Sequence, residues 1–170
     1  MAMTDRRTVV ADAGPIIHLD ELGCLDLLDN MGNIFVPTLV LAEIQAFRAD
    51  LSITSIPHAN VRDSSSTASQ RLETLITGLD LHAGEIAALK LAEQIDCGMF
   101  LCDDAAARVA GESLGLRVHG TIGVVVRSIR TRRHSRDQVT EILGSIPECC
   151  SLHISRPLLV HIIESVKADA

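Results

Sequence analysis

Five acidic residues stand apart from the rest by their surroundings. Asp12 closes the short β-branched run Thr8–Ala11, and the pair Asp103 and Asp104 follows the apolar run Met99–Cys102. Glu43 has Leu39, Val40, Ala46 and Phe47 three and four residues away, the spacing of neighbours on one helix face. Glu85 repeats the theme, flanked by Leu81, Ala88 and Leu89, with His82 on the remaining side. A carboxylate on a buried stripe must be paired, protonated or bound to a cation, because burying an unpaired charge is expensive. Internal cations are scarce: the lysines are Lys90 and Lys167, and the arginines cluster late in the chain. Carboxylates that converge repel each other and raise each other's pKa. A hard divalent cation, Mg²⁺ or Mn²⁺, takes oxygen ligands and removes that repulsion. Such a centre activates water and stabilises charge at a phosphodiester. The bland alternative for each strand-end aspartate, taken alone, is a helix cap.

Competing chemistries find little support. The histidines at 18, 58, 82, 119, 134, 153 and 161 have no HExxH-like spacing. Neither GxxxxGK[ST], GxGxxG nor GxSxG occurs, which leaves a phosphate-cradling loop and a serine elbow unsupported. Cys149, Cys150 and His153 could touch a soft metal, but adjacent cysteines rarely share one tetrahedral site. The five cysteines are odd in number and form no CxxC, so reduced thiols and a cytoplasmic location are expected. A phosphoacceptor receiver would want its acid pair after the first strand and a lysine after a late one. Here the pair comes late and that lysine is missing.

The elements that must position the acids are short. Strands are expected at Thr8–Ala11, Ile34–Val36, Met99–Cys102 and Arg117–His119. Helices are expected after Gly14-Pro15, from Pro37 to about Ala49, over Gln70–Thr77, His82–Ile95, Ala105–Leu114, Thr121–Arg133, Ser135–Leu143 and Pro157–Val166. The polar stretch from Ala49 to Gln70, Ser-rich at Ser64 to Ser66, reads as a long loop with some short structure, mobile and near the mouth of the site. Short strands separated by helices give an α/β fold: a three-layer α/β/α sandwich on a short, mainly parallel sheet. In such sheets ligands bind beyond the carboxyl ends of the strands, where Asp12, Asp103 and Asp104 fall. The 170 residues suit a single domain, with a helical extension from about residue 135.

The segments VVADAGPIIHLDELG, VPTLVLAEIQAF, HAGEIAALKLAEQ and FLCDDAAARVAGESLGLRVHGTIGVVVRSIR together resemble the PIN domain. They are most similar to its prokaryotic, toxin-like (VapC-like) branch with the pattern LDDxxAR…LGLxVxGTxGV. The likeness runs from Thr8 to Arg130, with a weaker tail at LHISRPLLVHIIESV. It implies the α/β/α fold, Mg²⁺- or Mn²⁺-dependent RNA cleavage, a homodimer, and the toxin role in a type II toxin–antitoxin pair. Residue by residue, the family's first strand-end acid corresponds to Asp12, its helix glutamate to Glu43 and the acid opening the alanine-rich helix to Glu85. The acid after the later strand corresponds to Asp104, with Asp103 adjacent. Two departures are visible. Gly14 stands where many PIN domains carry Ser or Thr, and Cys102 stands where the pattern has Leu and other branches often have Thr.

The net formal charge of −7 argues against non-specific coating of nucleic acid, and an aromatic content of 2%, without Trp or Tyr, nearly rules out base-stacking platforms. A local site remains open. RSIRTRRHSR supplies Arg127, Arg130, Arg132, Arg133 and Arg136, a basic segment able to hold RNA phosphates or to face an acidic partner such as an antitoxin. No uncharged stretch reaches the roughly 18 residues a membrane span needs, so no membrane partner is expected. The leading expectation is a metal-dependent endoribonuclease; the alternative is a PIN-fold RNA- or protein-binding module with weak turnover.

Overall fold

The computed structural model describes residues 8–168. Its centre is a five-stranded, wholly parallel sheet in the order β3-β2-β1-β4-β5. The strands are β1 (Thr8–Ala11), β2 (Asn33–Pro37), β3 (Ala59–Arg62), β4 (Met99–Leu101) and β5 (Arg117–His119). The inner strands are apolar on both faces, as a covered parallel sheet requires: Val9, Val10, Ile34, Val36, Phe100 and Leu101 are fully buried.

Eight α-helices are described: α1 (Ala13–Glu21), α2 (Thr38–Phe47), α3 (Gln70–Gly78), α4 (Ala83–Gln94), α5 (Ala105–Ser113), α6 (Thr121–Arg130), α7 (Arg136–Cys149) and α8 (Arg156–Ala168). The layers form a three-layer α/β/α sandwich. Helix α4 packs on β1 and β2 and touches α5, while α6 packs on β5 and against α1. Helix α7 lies on α6, and α8 lies on α7. Helix α2 touches both α1 and α4, which brings its second turn over the carboxyl edge of the sheet.

The connections explain where a site can form. From β1 the chain steps to β2 and then β3 on one side; it then returns to place β4 on the other side of β1. The crevice between β1 and β4 is therefore the topological switch point. The backbone closes that junction, with Asp12 N–H donating to the Leu101 carbonyl at 2.9 Å. Helices α1, α4, α5 and α6 all begin at this edge, so their N-terminal N–H groups and dipoles face it.

Several elements differ from the sequence expectation. The stretch read as a loop from Ala49 to Gln70 contains a 3₁₀ turn (Ile53–Ser55) and the edge strand β3, anchored by buried Leu51 and Ile56. Helix α2 ends at Phe47 rather than about Ala49. Helix α6 stops at Arg130 rather than Arg133, because Arg132 takes a left-handed backbone with φ 57°. Helix α7 runs on past Leu143 to Cys149 and accommodates Pro147.

Candidate functional site

Asp12 follows β1 and precedes α1, held at the switch point by the buried strand before it. It is 7% exposed. Its carboxylate accepts hydrogen bonds from the Ala13 backbone N–H and, weakly, from the Cys102 thiol at 3.8 Å. Both donors are neutral. Burial, reinforced by the charges of Glu85 and Glu43, pushes its pKa from 3.8 to about 6.

Glu85 enters from the first turn of α4. It is also 7% exposed, and its side chain closes a capping box by accepting the His82 backbone N–H at 2.7 Å. The His82 ring lies 3.5 Å from the other carboxylate oxygen, and this contact raises the imidazole's pKa. Glu43 reaches over from α2 and accepts the backbone N–H of Gly84. Partial desolvation and the charge of Glu85 raise its pKa. The approach is so close that a β-carbon on Gly84 would overlap both carboxylate oxygens of Glu43. Glycine at that position is what lets the two helices bring their acids together.

The environment of Glu43 differs from the sequence expectation. The residue is exposed, and so are three of the four apolar neighbours that suggested a buried stripe, Leu39 (45% accessible), Ala46 and Phe47 (59%); the fourth, Val40, is buried. Helix α2 buries its other side, through Val40 and Ile44.

The two aspartates after β4 divide their work. Asp104 caps α5, its Oδ1 accepting the Ala107 N–H at 2.9 Å, and its charge reaches His82. Asp103 is the more heavily bonded. Its Oδ1 accepts the Thr121 N–H at 2.7 Å, and its Oδ2 accepts the Thr121 hydroxyl at 2.6 Å and pairs with the His18 ring at 2.8 Å. Asp103 thus ties the end of β4 to the last turn of α1 and the first turn of α6. Thr121 and His18 were not singled out from the sequence; the signal for Thr121 was the GT step that opens α6.

The basic segment separates into two places. Arg133 pairs with Asp26 at 2.8 Å and Asp29 at 3.6 Å, in the 3₁₀ turn (Leu25–Asn30) before β2. Helix α6 begins beside Asp103 and rises about 15 Å over its ten residues, so Arg132 and Arg133 lie toward the amino edge of the sheet, away from the acids. Arg127 and Arg130 sit on α6 itself, close enough to His119 to act on its charge. Nearer the acids, Arg108 donates to the Cys102 carbonyl at 3.2 Å.

A sequence-family model for the PIN domain matches residues 8–168, nearly the whole chain. The chain belongs to the PIN domain family. PIN domains are generally nucleases. Among solved structures, the chain is similar to a PilT N-terminus domain protein from the hyperthermophilic archaeon Sulfolobus solfataricus P2, with a TM-score of 0.51 and 12% identity. The match covers 75% of this chain and 98% of that one, and at this identity it speaks for the fold alone. No curated protein matches the chain in sequence.

In this PIN domain, the fit of a cation rests on the donor set. Asp12, Glu43 and Glu85 are hard oxygen donors whose charges oppose one another, and Asp12 is buried without a cationic hydrogen-bond partner. Their side chains do not stand as a closed ligand shell: no three His, Cys, Asp or Glu side chains among the described residues are grouped as ready ligands. All five cysteines are free thiols. No described helix is long and apolar enough to cross a membrane.

Proposed function

We propose that this PIN domain is a divalent-metal-dependent endoribonuclease, acting as the toxin of a type II toxin–antitoxin pair in the cytoplasm. The observation that carries the catalytic reading is Asp12: a carboxylate 7% exposed at the switch point, opposed by the charges of Glu43 and Glu85. A structural aspartate gains nothing from such neighbours, whereas a metal-binding one requires them.

Asp12, Glu43 and Glu85 would hold Mg²⁺ or Mn²⁺, with Asp104 completing the set and Asp103 next to it. The bound cation would supply water activation and charge stabilisation at the phosphodiester. Glu85 is aimed by the capping box at His82, and Glu43 by the Gly84 N–H. Asp103 acts as a positioning residue, fixing the strand end that carries Asp104. The N-termini of α1, α4 and α5 favour the phosphate's negative charge at this edge. Cys102 lies where its weak thiol donor reaches Asp12. That contact favours the second reading, a binding module with slow turnover, because a thiol orients a carboxylate less firmly than a hydroxyl.

The toxin role rests on the resemblance and on an apolar face beside the acids. Leu39 and Phe47 of α2 and Val61 of β3 are exposed, a surface for an antitoxin to cover. Self-association into a homodimer belongs to the same reading, and light scattering reads it directly. The test of activity is cleavage of a mixed RNA pool with and without Mn²⁺. Wild-type cleavage that needs Mn²⁺ supports the nuclease; RNA binding without cleavage in Mn²⁺ favours the binding module.

A further inference from the structure

The charge of the molecule is unevenly spread around Asp103. On one side lie the acids. On the other, a groove runs between α6 and α8. It consists of two cavities, of about 410 and 540 Å³, that meet at Ile162. The first borders Asp103 and is lined by Arg108, His119 and His153. The second is lined by Arg130, Arg136 and His161. The only carboxylate lining either cavity among the described residues is Asp103, whose oxygens are already engaged by Thr121 and His18. In a chain of formal charge −7, three arginines along one groove, Arg108, Arg130 and Arg136, are a marked concentration of positive charge.

Two further observations indicate the class of ligand. The His119 imidazole, in the lining of the first cavity, is held below its ordinary pKa, first by burial and then by the guanidiniums of Arg117, Arg127, Arg108 and Arg130, of which Arg108 and Arg130 themselves line the groove. The floor is apolar: Val118, Ile122 and Ile154 in the first cavity, Val126 and Ile129 in the second. Leu158 at its wall is 51% exposed. A cationic rim over an apolar floor suits a flexible polyanion that carries flat, weakly polar groups. With no Trp or Tyr to stack bases, the affinity must come mainly from phosphates.

We propose that the groove between α6 and α8 is the track for single-stranded RNA, with phosphates on Arg108, Arg130 and Arg136 and bases over the apolar floor, leading past Asp103 to the acids. This rests on the nuclease reading, and it excludes Arg132 and Arg133 from the RNA surface. Arg133 is held by Asp26 and Asp29, and neither residue lines the groove.

The test is fluorescence anisotropy with a fluorescein-labelled, mixed-sequence 12-nucleotide RNA in EDTA, over a series of salt concentrations. Arg130→Gln and His153→Glu are both exposed substitutions whose melting should match wild type. Each is expected to weaken binding at least threefold. Arg130→Gln should also lower the slope of log K against log salt by about 0.7, the value for one phosphate contact on a single strand. Arg132→Gln should change neither quantity. Equal binding by wild type and both groove variants would overturn the proposal, as would a loss with Arg132→Gln of the same size. Displacement of the RNA by polyglutamate at equal charge would overturn it in favour of an acidic protein partner. Cleavage in Mn²⁺ separates the two readings. Groove-dependent binding without cleavage leaves the track standing and removes the nuclease; cleavage with groove-independent binding does the reverse.

Discussion

At the scale of single residues, Asp12 and Gly84 make opposed predictions for stability and chemistry. The Asp12 carboxyl has a folded-state pKa of about 6 against 3.8 unfolded, so the fold disfavours its charged form. Its contribution is therefore most favourable below pH 3.8 and is lost as pH rises through about 6. Asp12→Asn, nearly isosteric and uncharged, should match wild type near pH 3.5 and exceed it above pH 6 by on the order of 3 kcal/mol without metal. Thermal melts at pH 3.5 and 7.5 in EDTA check the crossover, and an Asn variant less stable than wild type at pH 7.5 would contradict it. At Gly84 the helix itself favours alanine, by up to about 1 kcal/mol. The obstacle is the Glu43 carboxylate, the mobile end of an exposed side chain, which can swing away. Gly84→Ala should therefore leave the melting temperature unchanged or slightly raised while Mn²⁺-dependent cleavage falls at least tenfold. A parallel loss of both would mean that Gly84 is structural only.

At the scale of elements, Asp103 and Asp104 are adjacent in sequence and differ in what they hold. Asp103 accepts from two elements with both oxygens; Asp104 caps one helix. Asp103→Ala strands the buried Thr121 hydroxyl and unties α1 and α6 from β4, for a loss of about 2–4 kcal/mol. Asp104→Asn keeps a good cap and should alter stability by only a few tenths of a kcal/mol, yet it should reduce cleavage. Urea denaturation of the two variants distinguishes these outcomes.

The elements also show what the sequence could disclose. Strands β1, β2 and β4 were legible because buried parallel strands read as short apolar or β-branched runs ended by turn residues. Strand β3, Ala-Asn-Val-Arg, has no such run. It is an exposed edge strand whose pairing with β2 comes from tertiary context. The acids at strand ends were legible for the same reason as the strands. Glu43 was legible as an anomaly, but helical spacing cannot say which of two apolar faces meets the core, and on α2 the face around Glu43 stays outside. The separation of Arg130 from Arg133 was not legible, because it depends on where α6 ends and which carboxylates meet the chain beyond it.

At the scale of the whole molecule, the parallel sheet acts as a sorter of charge. The reversal of strand order at β1 and β4 gathers the acids at one edge, while α5, β5 and α6 place Arg108, His119 and Arg130 along the adjoining groove. The net negative charge conceals this division. The central claim is that the gathered acids are a metal centre and not a set of caps. Thermal melting of wild type and Asp12→Asn at pH 7.5, with and without Mn²⁺, tests it most directly. A metal centre requires the variant to be the more stable protein in EDTA and Mn²⁺ to raise the melting temperature of wild type alone. Equal Mn²⁺ shifts in the two proteins, or none in wild type, would contradict the claim.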